Sequence, residues 1–288
     1  MGMNKIIYLK DWGKLLSTEE KFRNNAKTEW IFRAQPWGRR KSPLPIASSL
    51  ERACDDLSLA PKYALTIEKK LIREFASCYH HYVSHPPPQM GETLEWLALM
   101  RHHGTPTRLV DFTWSFFVAA LFAGLDNNGD SAIWCINKSW LGQRAEEAIR
   151  SIEGGEELVK EHTETRSGKS FRAIFITPQT KFVSAVNPIR FNERLAIQQG
   201  LFLAPGDITT KFQSNLPLKD KDADENVRVV RIKASSKPYF LKKLHRMGLH
   251  RSALFPGLDG FAQSLRERML LFGEPYMRTK TDIDLAFI

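Results

Sequence analysis

LEWLALMRHHGTPTRLVDFTWSFFVAALFAG, residues 94–124, is the stretch whose reading decides the fold. Two apolar segments enclose a polar centre of His102, His103, Thr105, Thr107, Arg108, Asp111 and Thr113. A solvated loop is not flanked by so much apolar chain, and an ordinary core helix does not carry so polar a middle. Leu94, Leu97 and Ala98 recur at helical spacing, and Gly104 and Pro106 stop the helix. Thr107 is placed to cap the next helix or to bond the turn backbone. From Phe116 to Leu125 the chain is apolar nearly all round, which puts that segment inside a core. The stretch reads as a helix, a tight turn and a second, buried helix, with the polar centre facing a cleft.

Upstream, residues 5–16 read as a short strand entering a helix that runs to about Asn24. Residues 29–35 alternate as a strand, with Trp30 and Phe32 on one face and Ile31, Arg33 and Gln35 on the other. Pro36, Gly38 and Pro43 end it in a basic loop carrying Arg39, Arg40 and Lys41, a candidate phosphate contact. Residues 64–82 form an amphipathic helix, with His80 and His81 exposed at its end. The three prolines at 86–88 force an extended connection.

Downstream, 131–136 reads as a buried strand. Residues 138–170 are polar and low in apolar content, the pattern of a helical excursion serving as an inserted lid or variable segment. Strands are expected at 171–177 and 227–233, and helices at 238–251 and 258–270. A short helix or turn at 193–199 enters a strand at Gly200, where the glycine serves either a positive φ or a close backbone approach. The order shows no regular βαβ series and no Gly-x-Gly-x-x-Gly, P-loop or His-Glu-x-x-His pattern. The expected fold is α+β: one domain over 1–288 with a mixed sheet, buried central helices and a polar helical excursion.

Composition narrows the classes. No apolar run is long enough to span a bilayer, and the N-terminus lacks a signal-peptide core, so a cytoplasmic protein is expected. Three scattered cysteines, Cys54, Cys78 and Cys135, argue against a disulfide scaffold and read as small buried hydrophobes. The histidines are too dispersed for a metal site, and none is expected. A net charge of +10 favours a polyanionic partner, whether nucleotide or nucleic acid.

The candidate catalytic residues are Arg33, His102, His103 and Asp111. Arg33, behind three bulky apolar residues, is costly to bury unpaired. It is either half of an ion pair with Asp111 or a fork for a phosphate or carboxylate, with Gln35 beside it. His103 abuts the turn and is the cleft member on that ground, with His102 on the helix face. Asp111 is either paired with Arg108 to brace the turn or a general base working with His103. Thr105, Thr107 and Arg108 are candidate ligand contacts, as are Gln198 and Gln199, with Arg194 one helical turn before Gln198. Trp114 is expected to fill the core.

Several of these stretches together resemble the FRG domain family, named for a Phe/Tyr-Arg-Gly motif. That motif appears as Phe32–Arg33–Ala34, and Ser49–Leu50–Glu51–Arg52 follows. The family's Gln-His-x-Gly-x-Pro-Thr-Arg signature appears as Arg101–His102–His103–Gly104–Thr105–Pro106–Thr107–Arg108, running on to Asp111. Gln198–Gln199–Gly200–Leu201–Phe202 and residues 254–260 complete the resemblance. It aligns the family's histidine with His102, where the turn argument favours His103. Ala34 stands where the name motif has glycine, and Arg101 where the signature has glutamine. The resemblance implies a bacterial or phage-related setting, with antiviral defence or toxicity as roles. A more distant likeness to ADP-ribosyltransferases implies NAD as substrate, with Arg33 and Gln198 or Gln199 as outer site elements. The expected function is an enzyme acting on a nucleotide-containing substrate. The alternative is a non-enzymatic module that binds nucleic acid or senses a ligand.

Overall fold

The computed structural model describes residues 6–24, 28–38, 42–84, 86–125, 129–164, 168–177, 180–190 and 193–277. The basic loop at Arg39–Lys41 lies outside them. In chain order the elements are β1 (Ile6–Leu9), α1 (Trp12–Arg23), β2 (Trp30–Pro36), α2 (Ser49–Asp56), α3 (Ala64–Cys78), α4 (Thr93–His102), β3 (Val110–Thr113), α5 (Phe116–Leu125), β4 (Ser131–Asn137), α6 (Lys138–Arg150), α7 (Gly155–Glu164) and α8 (Gly168–Phe171). A π-helical turn (Arg172–Ile176) follows, then β5 (Val183–Val186), α9 (Glu193–Ile197), β6 (Gly200–Pro205), α10 (Phe212–Asn215), α11 (Ala223–Asn226), β7 (Val227–Ile232), α12 (Lys237–Arg246), α13 (Arg251–Leu254) and α14 (Leu258–Met277).

Seven strands form one mixed sheet in the order β1-β7-β4-β2-β3-β6-β5. Only β1 and β7 run parallel; the other pairs are antiparallel. Alternation sends the strand side chains to two faces. Phe32, Ile133, Cys135, Val230 and Ile232 meet Phe116, Ala120, Phe240 and Leu244 from α5 and α12. Ile31, Val110, Phe112, Trp134, Leu201, Leu203 and Val229 pack on the opposite face with Trp140 and Phe212. A third cluster unites Phe202 and Ala204 of β6 with Leu97 of α4, Ile149 of α6, and Phe171, Ile174 and Phe175. The α+β class with a mixed sheet, expected from the sequence, is what the chain adopts.

The central stretch departs from the expected helix-turn-helix in one respect. Between the turn and the buried helix α5 lies β3, so Arg108 and Asp111 are not on a helix at all. Four residues are too few to show a period, and Val110 and Phe112 alternate inward unnoticed beside the apolar run that follows. Thr107 accordingly caps no helix. A second correction concerns 171–177, which is helical as far as Ile176 rather than a strand. Phe171, Ile174 and Phe175 are buried at helical spacing there. Among the cysteines, Cys54 and Cys135 are buried but Cys78 is exposed. In the segment read as an inserted lid, α6 carries buried Trp140, Leu141, Ala145 and Ile149.

The turn after α4 has a clear physical cause. Gly104 has φ +84°, Gly104 N–H donates to Arg101 O (3.3 Å), and Thr105 N–H donates to Met100 O (2.9 Å). These two bonds are a Schellman motif, which satisfies the last helical carbonyls and requires a residue that tolerates positive φ. The chain then docks against α2: Thr107 N–H donates to Ser49 Oγ (3.0 Å), and Leu50 N–H donates to Thr107 O (3.1 Å). Beyond it Arg108 is fully buried, and its guanidinium grips Glu68 of α3 through Nε (2.7 Å) and Nη2. Its Nη1 donates to Phe175 O (2.6 Å), one of the carbonyls left open at the end of the π-helical turn.

Candidate functional site

The sheet comes apart at its centre. Antiparallel β2 and β3 share a single paired position, Phe32 with Thr113, and then diverge. Continued pairing would set Ala34 against Asp111; instead both residues line a crevice of about 250 Å³ with Phe32, Arg33, Phe112 and Phe122. The crevice also lies at a seam between two core clusters, since Asp111 pairs with Phe202 on β6 while Phe32 belongs to the α5 side. A second hollow of about 210 Å³ adjoins it, lined by Arg101, His102, Gly104, Leu195 and Phe202. Asp111, Arg194 and Gln198 line both. Divergence of two central strands thus creates a polar opening where a regular ladder would have sealed one.

Arginines crowd this opening. Arg33 Nη1 donates to Asp111 O (2.7 Å) across the split and lies 3.9 Å from Asp111 Oδ2. Arg101, from the last turn of α4, clasps Asp111 Oδ2 through Nη2 and through Nε at 3.0 Å. Arg194 extends from α9, its guanidinium 4.5 Å from the centre of the Phe255 ring. Arg52 stands behind, donating to Ala47 O (2.8 Å). Among the described residues lining the two hollows, Asp111 is the sole carboxylate, and its side chain is 44% exposed.

The titration behaviour follows from this crowding. Burial, with Arg101 and Arg52 nearby, pushes Arg33 down to about 10 despite the opposing pull of Asp111. Arg52 and Arg194 are lowered too, by burial first and then by Arg101. Burial acts to raise the Asp111 carboxyl, but the charge and hydrogen bond of Arg101, helped by Arg33 and Arg194, outweigh it and hold it below its usual value. Asp111 is therefore an ionised clamp at neutral pH and a weak proton acceptor. His102 is lowered by burial, by His103 and by Arg194, and is neutral at pH 7.

The structure sorts the sequence candidates. Arg33, His102, Asp111 and Gln198 line the opening. His103 is exposed outside it, its ring 6.5 Å from that of Phe75. The family alignment, not the turn argument, thus picked the histidine at the crevice. Arg108 is sealed away with Glu68, so the expected Arg108–Asp111 brace is replaced by two pairs, Arg108–Glu68 and Asp111–Arg101. Gln35 donates to Leu44 O in the neighbouring loop. Thr105 N–H and Thr107 N–H are spent on holding the turn. Gln198 Nε2 donates to Leu254 O (2.9 Å), and Thr113 Oγ1 donates to Gln198 O (2.7 Å). Gln199 is exposed and, with φ +46°, takes the positive φ that was one of the two uses expected of Gly200. A Cβ at Gly200 would instead overlap the Leu195 side chain, so glycine there permits close approach. Trp114, expected in the core, is 38% exposed, with Lys138 Nζ 5.6 Å from its ring centre.

Arg101 and Arg194 were the residues that sequence reasoning undervalued. Arg194 carried a signal, since it sits four before Gln198 on a short helix. Arg101 carried only its departure from the family's glutamine; its ion pair with Asp111 reaches across the turn from α4 to β3. No group of three or more potential metal ligands occurs among the described residues.

No curated protein and no solved structure matches this sequence. One family model does, and its range holds Phe32–Arg33–Ala34, Ser49–Arg52 and the 101–111 turn, while Gln198 and the 254–260 stretch fall outside it. Residues 28–131 match the FRG domain.

Proposed function

We propose that the split between β2 and β3 is the binding site for a phosphate-bearing nucleotide, NAD among the candidates, and that the protein acts on it. The observation that carries this reading is the convergence of Arg33, Arg101 and Arg194, with Arg52 behind, on one carboxylate at an open crevice. Three or four guanidinium groups around one carboxylate leave a surplus of positive charge, and planar guanidinium forks suit phosphate oxygens. Phe122 gives the same crevice an aromatic edge for a base. Asp111, held ionised, suits stabilisation of the positive charge that builds on a ribose as a glycosidic bond breaks, better than it suits proton abstraction.

The test is calorimetric titration with NAD, ATP and ADP-ribose, alongside mass analysis of products. Arg194→Ala should weaken binding about tenfold or more, the scale of one lost charge-assisted contact. Asp111→Asn should remove turnover while leaving binding equal or tighter, because it deletes the competing negative charge. Failure of all three nucleotides to bind would end the proposal. Net charge favours a second reading, a nucleic-acid-binding module. That reading predicts affinity for DNA or RNA falling steeply with salt, with no change to either.

A further inference from the structure

Helix α14 is apolar on the wrong side. Its inward face carries Gly260, Ser264 and Leu271, all buried, and Glu267, which pairs with Arg251. Its outward face carries Leu258 (79% exposed), Phe261 (46%), Leu265 (36%) and Met269 (60%). The spacing of these four, i, i+3, i+7 and i+11, draws one stripe along three turns of helix. A surface helix normally shows the reverse arrangement, and single exposed apolar residues are unremarkable, whereas an aligned row of four marks a contact surface.

We propose that this stripe packs against the same stripe of a second copy of the chain, the two α14 helices running antiparallel. Charge placement selects that partner. Asp259 and Arg266 lie seven residues apart on one flank of the stripe, and Asp259 is exposed. In an antiparallel pair like flanks meet, so Asp259 of each copy faces Arg266 of the other, twice by symmetry. The layers then place Leu258 of one copy against Met269 of the other, with Leu265 near the centre. Three turns span only about 16 Å, less than a standard interface needs, so the dimer is weak and concentration-dependent.

Sedimentation equilibrium of the full chain from micromolar to submillimolar concentration tests this. The wild type should shift from the 33.0-kDa monomer toward a dimer. Leu265→Glu should raise the dissociation constant at least about tenfold, with an unchanged circular dichroism spectrum, because it places a carboxylate in an apolar contact. Asp259→Arg and Arg266→Asp should each weaken association, and the double reversal should restore it. A wild type that stays monomeric overturns the proposal. So does a dimer indifferent to Leu265→Glu, or a double reversal that fails to rescue. Should the wild type be monomeric, a dimer appearing only after removal of residues 278–288 would identify those residues as the occupant instead.

Discussion

Arg108 and Arg101 are seven residues apart, and each holds a carboxylate, yet they do different work. Arg108 and Glu68 are both fully buried, and the carboxylate also accepts the Arg108 backbone N–H at 3.0 Å. Removing one partner of such a pair strands the other charge in the interior. Glu68→Ala should therefore destabilise the fold by about 3–5 kcal/mol, read by chemical denaturation. Arg101 and Asp111 sit at an opening, and their pairing shows in acid. A carboxyl held below its unfolded value adds stability that is complete above that value and is lost as pH falls through the folded one. The reference value is 3.8 and the shift is downward, so the Asp111 contribution should vanish only below about pH 4. Acid-unfolding curves of wild type and Asp111→Asn should diverge above that region and converge below it. His102 acts in the opposite sense on ligand. Its value lies below 6.5, so it is neutral at pH 7 and gains a charge only as pH falls through that lowered value. Anion affinity should rise as pH falls below 6.5 and His102 takes up a proton, and His102→Ala should flatten the rise in calorimetric titrations.

At the scale of the element, local rules account for the ends better than for the middles. Ser48 caps α2, accepting from Glu51 N–H at 3.0 Å, and Ser48-x-x-Glu51 has the spacing of a capping box. Glu51 does not complete the box; its carboxylate accepts from Phe212 N–H at 2.9 Å and so ties α2 to α10. Ser48→Ala should cost about 1 kcal/mol in thermal or urea denaturation, the ordinary value of an N-cap. The Schellman turn at Gly104 was legible because glycine past a helix end means one thing locally. Strand β3 was not, because four residues next to a long apolar run carry no distinguishable period. The π-helical turn at 172–176 was misread for a related reason. Phe, Ile and Phe in a short run serve a strand or a helix equally, and the buried guanidinium of Arg108 at its carbonyl end comes from 67 residues away.

For the whole molecule, the sheet order predicts that residues 28–131 do not fold alone. They contain β2 and β3, joined at one position, while the neighbours β4 and β6 that pair each of them fully come almost wholly from later in the chain. A fragment of 28–131 should show no cooperative thermal transition, since each strand would present an unpaired edge. It would also lack Arg194 and Gln198 on one wall of the crevice.

The sequence by itself determined the helix and strand alternation over most of the chain, the turn at Gly104 and the buried helix after it. Those follow from side-chain period and from glycine's backbone freedom, both of which are local. The tertiary structure alone decided which carboxylate each arginine holds, which histidine faces the opening, and that two central strands part to make one. Those depend on contacts between segments 10 to 85 residues apart, and charge pairing at such range has no period in the chain to announce it.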